Sequence, residues 1–266
     1  VEAGLRRYDA VQVRAIGVTA ELIAAAIRVG RYAPTAGAVV STSGPGVLGK
    51  DGPMEPMSLE GSYEDDSGTE RVTWTIADST RPGWSGRYEV TAEIRGVRVS
   101  GDNFTDLEPD TPTTALSLNG AGEVDHCKVR VDVATRVKGP GGPQGHLSLT
   151  FHLGTGTFEA VVDAEMTIGQ RTVANIREER LEEVLGALVP QLGEVMWECC
   201  LTCGLSDYSP GGNRVMGMRC HRDARTQYLS VQSKMEYWGV PVTEEVPEFY
   251  RCDQYEHRLP GTGYRG

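Results

Sequence analysis

From Ser58 onward, apolar and polar residues alternate with a period of two, the signature of strands that bury one face. Leu59 to Tyr63, the polar turn Glu64 to Gly68, and Arg71 to Ile76 read as a hairpin, with Val72, Trp74 and Ile76 on one side. Tyr88 to Arg95 alternates again, Gly96 separates it from Val97 to Ser100, and Gly101-Asp102 turns into Phe104 to Pro109. Lys128 to Val137 carries Val129, Val131, Val133 and Val137 on one face and mostly charges on the other. The glycine- and proline-rich run Lys138 to Gly145 can only be a loop. Beyond it, His146 to Leu153 places Leu147, Leu149, Phe151 and Leu153 inward and His146 and His152 outward, where solvation is the simplest role for both histidines. Thr157 to Ile168 and Arg171 to Val173 add further strand. Short strands at about ten-residue intervals predict an α+β, mainly β fold: an antiparallel sandwich or partly open barrel with one amphipathic helix.

That helix is written by Leu181, Val184, Leu185 and Leu188 at i, i+3, i+4 and i+7, with Pro190 ending it. Asn175, three residues before Glu178, reads as its cap. Glu178, Glu179, Glu182 and Glu183 form its wet face rather than an acid/base set. Leu192 to Trp197 then leads into a cysteine-rich, zinc-knuckle-like module. The expected organisation is therefore a β domain over 58–190 and a cysteine module over 191–266. Residues 1–57 are Ala-, Gly- and Val-rich and begin with Val1, so they are expected to be a disordered or spurious leader, with Met54 or Met57 as alternative starts.

Composition narrows the function classes. The 266 residues carry 37 acidic against 26 basic side chains, a formal charge of −11, which repels phosphate backbones and anionic lipid and argues against nucleic-acid or membrane partners. No apolar run reaches the roughly 20 residues of a membrane span. Ala15 to Val29 is interrupted by Thr19, Glu21 and Arg28, unlike the apolar region of a signal peptide. Five of the six cysteines crowd into the last quarter of the chain, a distribution that suits metal or redox chemistry in a reducing interior rather than a disulfide framework, so a cytoplasmic location is expected.

Cys200-x-x-Cys203-Gly204 has the form of a knuckle, two thiolates on a tight turn with a glycine that lets backbone N–H groups approach sulfur. Cys220 and Cys252 supply two further single thiols, with His221 and His257 beside them. A structural zinc held by Cys200, Cys203, Cys220 and Cys252 is the reading that uses all of them. An iron–sulfur centre would use the same thiols with Cys199 as a fifth donor, a redox pair would use Cys200 and Cys203, and small buried hydrophobes would need no ligand. Cys127 belongs with the core. Asp207, Tyr208, Arg219, His221, Arg222 and Asp223 place acid, base and guanidinium groups near the cluster, and Arg214, Arg219, Arg222 and Arg225 are expected to be a solvated face pairing with Glu244, Glu245 and Glu248. The glycine-rich tail Pro260 to Gly266 frays unless it docks.

Cys200 to Gly212, Cys220-His-Arg-Asp223, Pro247 to Cys252 and Pro260 to Gly266 together resemble the closing signature of an actinobacterial domain-of-unknown-function family, and Gly96 to Pro109 is similar to a segment near that family's start. The resemblance spans about 58–266 and implies domain limits but no activity, ligand or catalytic residue. Two functions stay open: a protein-binding or accessory protein of immunity-like or assembly type, and a metal- or thiol-dependent enzyme working at the cysteine cluster. The chain lacks a nucleophile–base constellation, a phosphate loop and a dinucleotide fingerprint, which favours the first.

Overall fold

The computed structural model describes residues 54–81, 87–154, 160–211 and 215–264, without the side chains of 175–177. The expected leader up to residue 53, the start of the Thr157–Ile168 strand, and Arg214 lie outside the described residues.

The alternating segments become strands β1 (Met57–Asp65), β2 (Gly68–Asp78), β3 (Tyr88–Ile94), β4 (Val97–Gly101), β5 (Glu108–Pro109), β6 (Lys128–Lys138), β7 (Gln144–Leu153), β8 (Ala160–Ile168) and β9 (Arg171–Glu178). They form one open antiparallel sheet in the order β5-β4-β3-β2-β1-β6-β7-β8-β9, and a short β10 (Met196–Glu198) adds itself to β6. The mainly β, α+β fold read from the sequence is the fold observed. Only one connection along that order is non-local, β1 to β6, and it is registered by Gly61 opposite Val131 and Tyr63 opposite Val129.

Inward positions alternate as the pattern demands. Val129, Val131, Val133 and Val137 of β6 and Leu147, Leu149, Phe151 and Leu153 of β7 are all buried. Phe104, in the loop after β4, meets Trp74 edge-on at 5.4 Å and Phe151 at 5.1 Å, so one aromatic cluster joins β2 to β7 over the two strands between them. Met54 also packs into this core, ahead of the expected start at 58. Helix α1 (Leu181–Leu188) buries Leu181, Val184, Leu185 and Leu188 against β8 and β9, as its periodicity predicts.

Its start differs from expectation. Asn175 is not a cap but a residue of β9, which runs on to Glu178 and pairs with β8 through Val162 opposite Glu178. Ladder hydrogen bonds hold that stretch extended, and the helix begins after Arg180, which makes no side-chain cap.

The C-terminal residues add a three-stranded sheet of β11 (Ser206–Asp207), β12 (Met218–Cys220) and β13 (Glu244–Val246), with β12 central. Two five-residue helices, α2 (Arg225–Leu229) and α3 (Lys234–Trp238), lie between β12 and β13 in the chain. Among the described residues no helix is long and apolar enough to cross a membrane.

Candidate metal centre at the C-terminal cysteine cluster

The knuckle is held by backbone before any side chain acts. After β10, residues Cys200–Thr202 make one 3-10 turn, and the Cys200 N–H donates to the Tyr250 carbonyl at 2.7 Å while Leu201 donates to Glu248 at 2.9 Å. Gly204 donates to Glu256 at 2.7 Å, Arg258 donates back to Thr202 at 3.0 Å, and Cys203 bridges His257. The segment 248–258, which carries Cys252, is thus laced along 200–204. Cys220 enters from the other side at the end of β12, opposite Ser206 on one strand and Glu244 on the other.

Three chain segments therefore bring the four cysteines together. Cys200, Cys203 and Cys220 are buried, whereas Cys252 is half-buried. Cys220 donates its thiol hydrogen bond to Cys252, which raises the Cys220 thiol and lowers that of Cys252, with burial opposing the second shift. Burial first, and then the neighbouring Cys203, Cys199 and Cys252, hold the Cys200 thiol well above its ordinary value. Burial and crowding by neighbouring thiols thus push Cys200 and Cys220 the same way, upward, while Cys252 is the one that gains the hydrogen bond as its acceptor.

Peptide N–H groups are aimed at the sulfurs. Leu205 N–H donates to Cys203 Sγ at 3.4 Å, and the N–H groups of Arg222 and Gln254 donate to Cys220 and Cys252. Each donor stands two residues after its cysteine, the local geometry that stabilises thiolates in knuckle sites. Arg222 Nη1 lies 3.6 Å from Cys220 Sγ and also pairs with Glu244, both side chains being almost wholly buried. This corrects the expectation of a solvated arginine face, at least for Arg222: its guanidinium is enclosed because Cys220 and Glu244 are cross-strand neighbours on one side of the small sheet. Arg219 lies 3.7 Å from Glu245, and Arg225 instead pairs with Glu256 at 2.7 Å.

As the side chains stand, no group of three or more Cys, His, Asp and Glu among the described residues is spaced to hold a metal ion. The donor chemistry nevertheless fits a thiophilic ion such as zinc. It consists of soft sulfur ligands, oriented N–H groups, and a buried guanidinium to offset the excess negative charge of four thiolates.

The remaining candidates are occupied elsewhere. His221 is fully buried, stacked on Tyr228 at 4.8 Å and edge-on to Tyr237 at 5.2 Å. Its Nδ1 lies 2.8 Å from the Pro241 carbonyl, which can only accept, so Nδ1–H donates there and Nε2 carries the lone pair, 3.0 Å from a Tyr237 hydroxyl that also lies 3.0 Å from the Tyr208 carbonyl. Burial keeps this imidazole neutral by lowering its pKa. Asp207, equally buried, accepts from the Tyr228 hydroxyl at 2.9 Å and from the Tyr208 N–H at 2.9 Å. Neither offers an open position toward the sulfurs. His257 is exposed, its Nδ1 3.3 Å from the Tyr255 hydroxyl. Cys199 faces Thr202, and burial pushes its thiol up to about 12; Cys127 sits in the main core beside Tyr63, also raised to about 12.

Sequence reasoning missed the residues that brace the module. Buried Glu198 takes Lys138 of β6 at 2.5 Å and Arg251 at 3.1 Å, fastening the neighbour of Cys252 to the large sheet. Arg258 donates to the Cys203 carbonyl at 3.0 Å, to the Ser206 carbonyl, and to the Thr262 carbonyl at 3.1 Å. Tyr264 stacks on Tyr237 at 4.9 Å, so the tail docks. One signal could have found α3: Ser233 precedes Glu236 by three residues, and the Ser233 hydroxyl does accept from the Glu236 N–H.

Residues 57–206 match the model of a family of unknown function, DUF6304, and the chain belongs to that family. The match covers the large sheet, α1 and the knuckle, and it stops before Cys220 and Cys252. No curated protein and no solved structure matches the chain.

Proposed function

Starting from membership of that family, we propose that this chain is a cytoplasmic, protein-binding accessory protein of assembly or immunity-like type. In this reading a structural zinc at Cys200, Cys203, Cys220 and Cys252 organises the surface it presents. The carrying observation is a coincidence of position. Every large hydrophobic side chain exposed among the described residues, namely Met235, Trp238, Val242, Leu259 and Tyr264, lies within 235–264, the stretch on either side of Cys252. Exposed apolar side chains gathered on one module mark an interaction site more readily than the same residues scattered singly. The family's closing signature over 200–266 and an actinobacterial origin belong to the same proposal.

Zinc, when bound, would supply cross-linking of three segments and no chemistry. The chain's own residues do the positioning: 248–258 fixes the knuckle, Arg222 offsets thiolate charge, and rotation of side chains on these fixed anchors closes the set. A five-residue α3 cannot persist in water alone, so its display of Met235 and Trp238 depends on the module staying folded.

Hydrogen exchange on the full chain, with and without a strong chelator, tests this. Protection lost across 204–258 but kept in β1–β9 supports it, and identical protection in both conditions counts against it. For the partner, a photo-crosslinking residue replacing Met235 is expected to trap a discrete protein in the source cells, while the same residue at the exposed position Glu60 traps none.

The thiol-enzyme reading keeps one observation in its favour. Cys252 is the accessible member of the cluster and accepts a hydrogen bond from Cys220. A rapidly alkylated Cys252 in metal-loaded protein would favour it.

A further inference from the structure

A second site lies away from the cysteines, at the end of the large sheet. A cavity of about 650 Å³ opens between the β8–β9 turn, the loop from β6 to β7 at Pro140-Gly141, and the chain from Leu192 to Val195. Its volume falls in the range of small-molecule sites, roughly 300–1,000 Å³. Met166, Ile168 and Leu192, all buried, form its floor with Val173 and Val195. Close backbone approach shapes the opening: a Cβ on Gly141, whose φ is +102°, would meet the Ile168 side chain at 3.0 Å.

Arg171 is the one cationic side chain on this lining. Two of its donors go to main-chain carbonyls, to Leu192 at 3.2 Å and to Gln191, which fix the guanidinium at the end of the 3-10 turn Val189–Leu192. A guanidinium has five N–H donors, and no carboxylate among the described residues pairs with this one. A guanidinium held by main-chain carbonyls, paired with no carboxylate among the described residues and set beside an apolar hollow, is complementary to an amphiphile with one anionic head. Glu194 on the same lining disfavours a head of higher charge and directs it to the Arg171 side.

We propose that this cavity is a binding site for a small monocarboxylic acid with an apolar body, its chain lying on Met166, Ile168 and Val173 and its carboxylate on Arg171. All of the lining falls within residues 57–206, so the site belongs to the family-matched part of the chain and stands or falls independently of the zinc reading.

The probe is decanoate, kept below its micellar concentration and titrated into the full chain while amide resonances are followed. The expected result is saturable shifts confined to the neighbourhood of Gly141, Gly169, Arg171 and Gly193. Decan-1-ol, of equal chain length without the charge, should bind about tenfold more weakly, the order of one charge-assisted hydrogen bond. Arg171→Gln should lower decanoate affinity by a similar factor and leave decan-1-ol unchanged, and Val173→Trp should abolish both. Absence of saturable shifts, shifts elsewhere, or equal affinity for the two probes would overturn the proposal. Because the two-probe comparison uses the unaltered chain, it holds even if a variant fails to fold.

Discussion

Cys220 and Cys252, on β12 and in the segment that laces along the knuckle, share one thiol hydrogen bond; Cys252 also helps raise the Cys200 thiol, and Cys200 in turn helps raise that of Cys220. That contact turns isolated thiols into a set. Neither cysteine belongs to the family-matched stretch 57–206, yet both neighbour Cys200, which does.

The first prediction concerns thiol reactivity. In metal-loaded chain an aromatic disulfide reagent should find no fast thiol, and after chelation Cys252 should react first, ahead of the buried Cys200, Cys203 and Cys220. Cys127 and Cys199 should react only on unfolding in either case. A fast thiol before chelation points instead to the enzyme reading.

Gly61 tests the main sheet. The Trp74 indole of β2 reaches over β1 and donates to the Arg130 carbonyl of β6 at 3.0 Å, and a Cβ on Gly61 would stand 2.0 Å from that oxygen and 2.7 Å from Trp74 Nε1. Gly61→Ala should destabilise the fold by about 2–4 kcal/mol in urea denaturation, whereas Glu60→Ala next to it, exposed, should change stability by no more than about 0.5 kcal/mol.

Acid stability should carry the mark of Asp65. Arg95 grips its carboxylate with two bonds, of 2.7 and 2.5 Å, and holds its pKa down at about 2 from an ordinary 3.8. A carboxylate depressed on folding contributes stability that is complete above its unfolded pKa and is lost as pH falls through the folded one. Between about pH 4 and pH 2 the urea midpoint should therefore fall, and in Asp65→Asn that part of the slope should vanish while stability at neutral pH drops. An unchanged slope in the variant would refute the assignment.

Arg258 should govern the tail. Its guanidinium joins the carbonyls of Cys203, Ser206 and Thr262, so Arg258→Ala removes three charge-assisted bonds to main chain. Limited proteolysis should then cut within 259–264, and the module should lose about 2–4 kcal/mol, while the strands of the large sheet stay resistant.

The large sheet was legible because each strand buries one face, and alternation such as Val129, Val131 and Val133 survives in sequence whatever the partner strand is. The leucine stripe of α1 was equally plain. Its start was not, because Asn175 and Glu178 satisfy a local capping pattern that pairing with β8 overrides. In the cysteine module, local pattern fails for a different reason. Cys220 and Cys252 are single thiols whose neighbours reveal nothing of the contacts between 200–204 and 248–258, and Arg222 looks like any surface arginine until β12 and β13 place it between Cys220 and Glu244. The Arg171 cavity was invisible for the same reason, since its walls come from the β8–β9 hairpin, the loop after β6 and the chain from Leu192 to Val195, which lie apart in sequence.

Metal analysis of the purified full chain, paired with the Cys220→Ser and Cys252→Ser variants, tests the central claim most directly. The account predicts about one zinc per chain in the unaltered protein and loss of that zinc in both variants, with β1–β9 still folded. Protein prepared with zinc present that carries none, or that keeps its zinc when Cys220 and Cys252 are replaced, would contradict it.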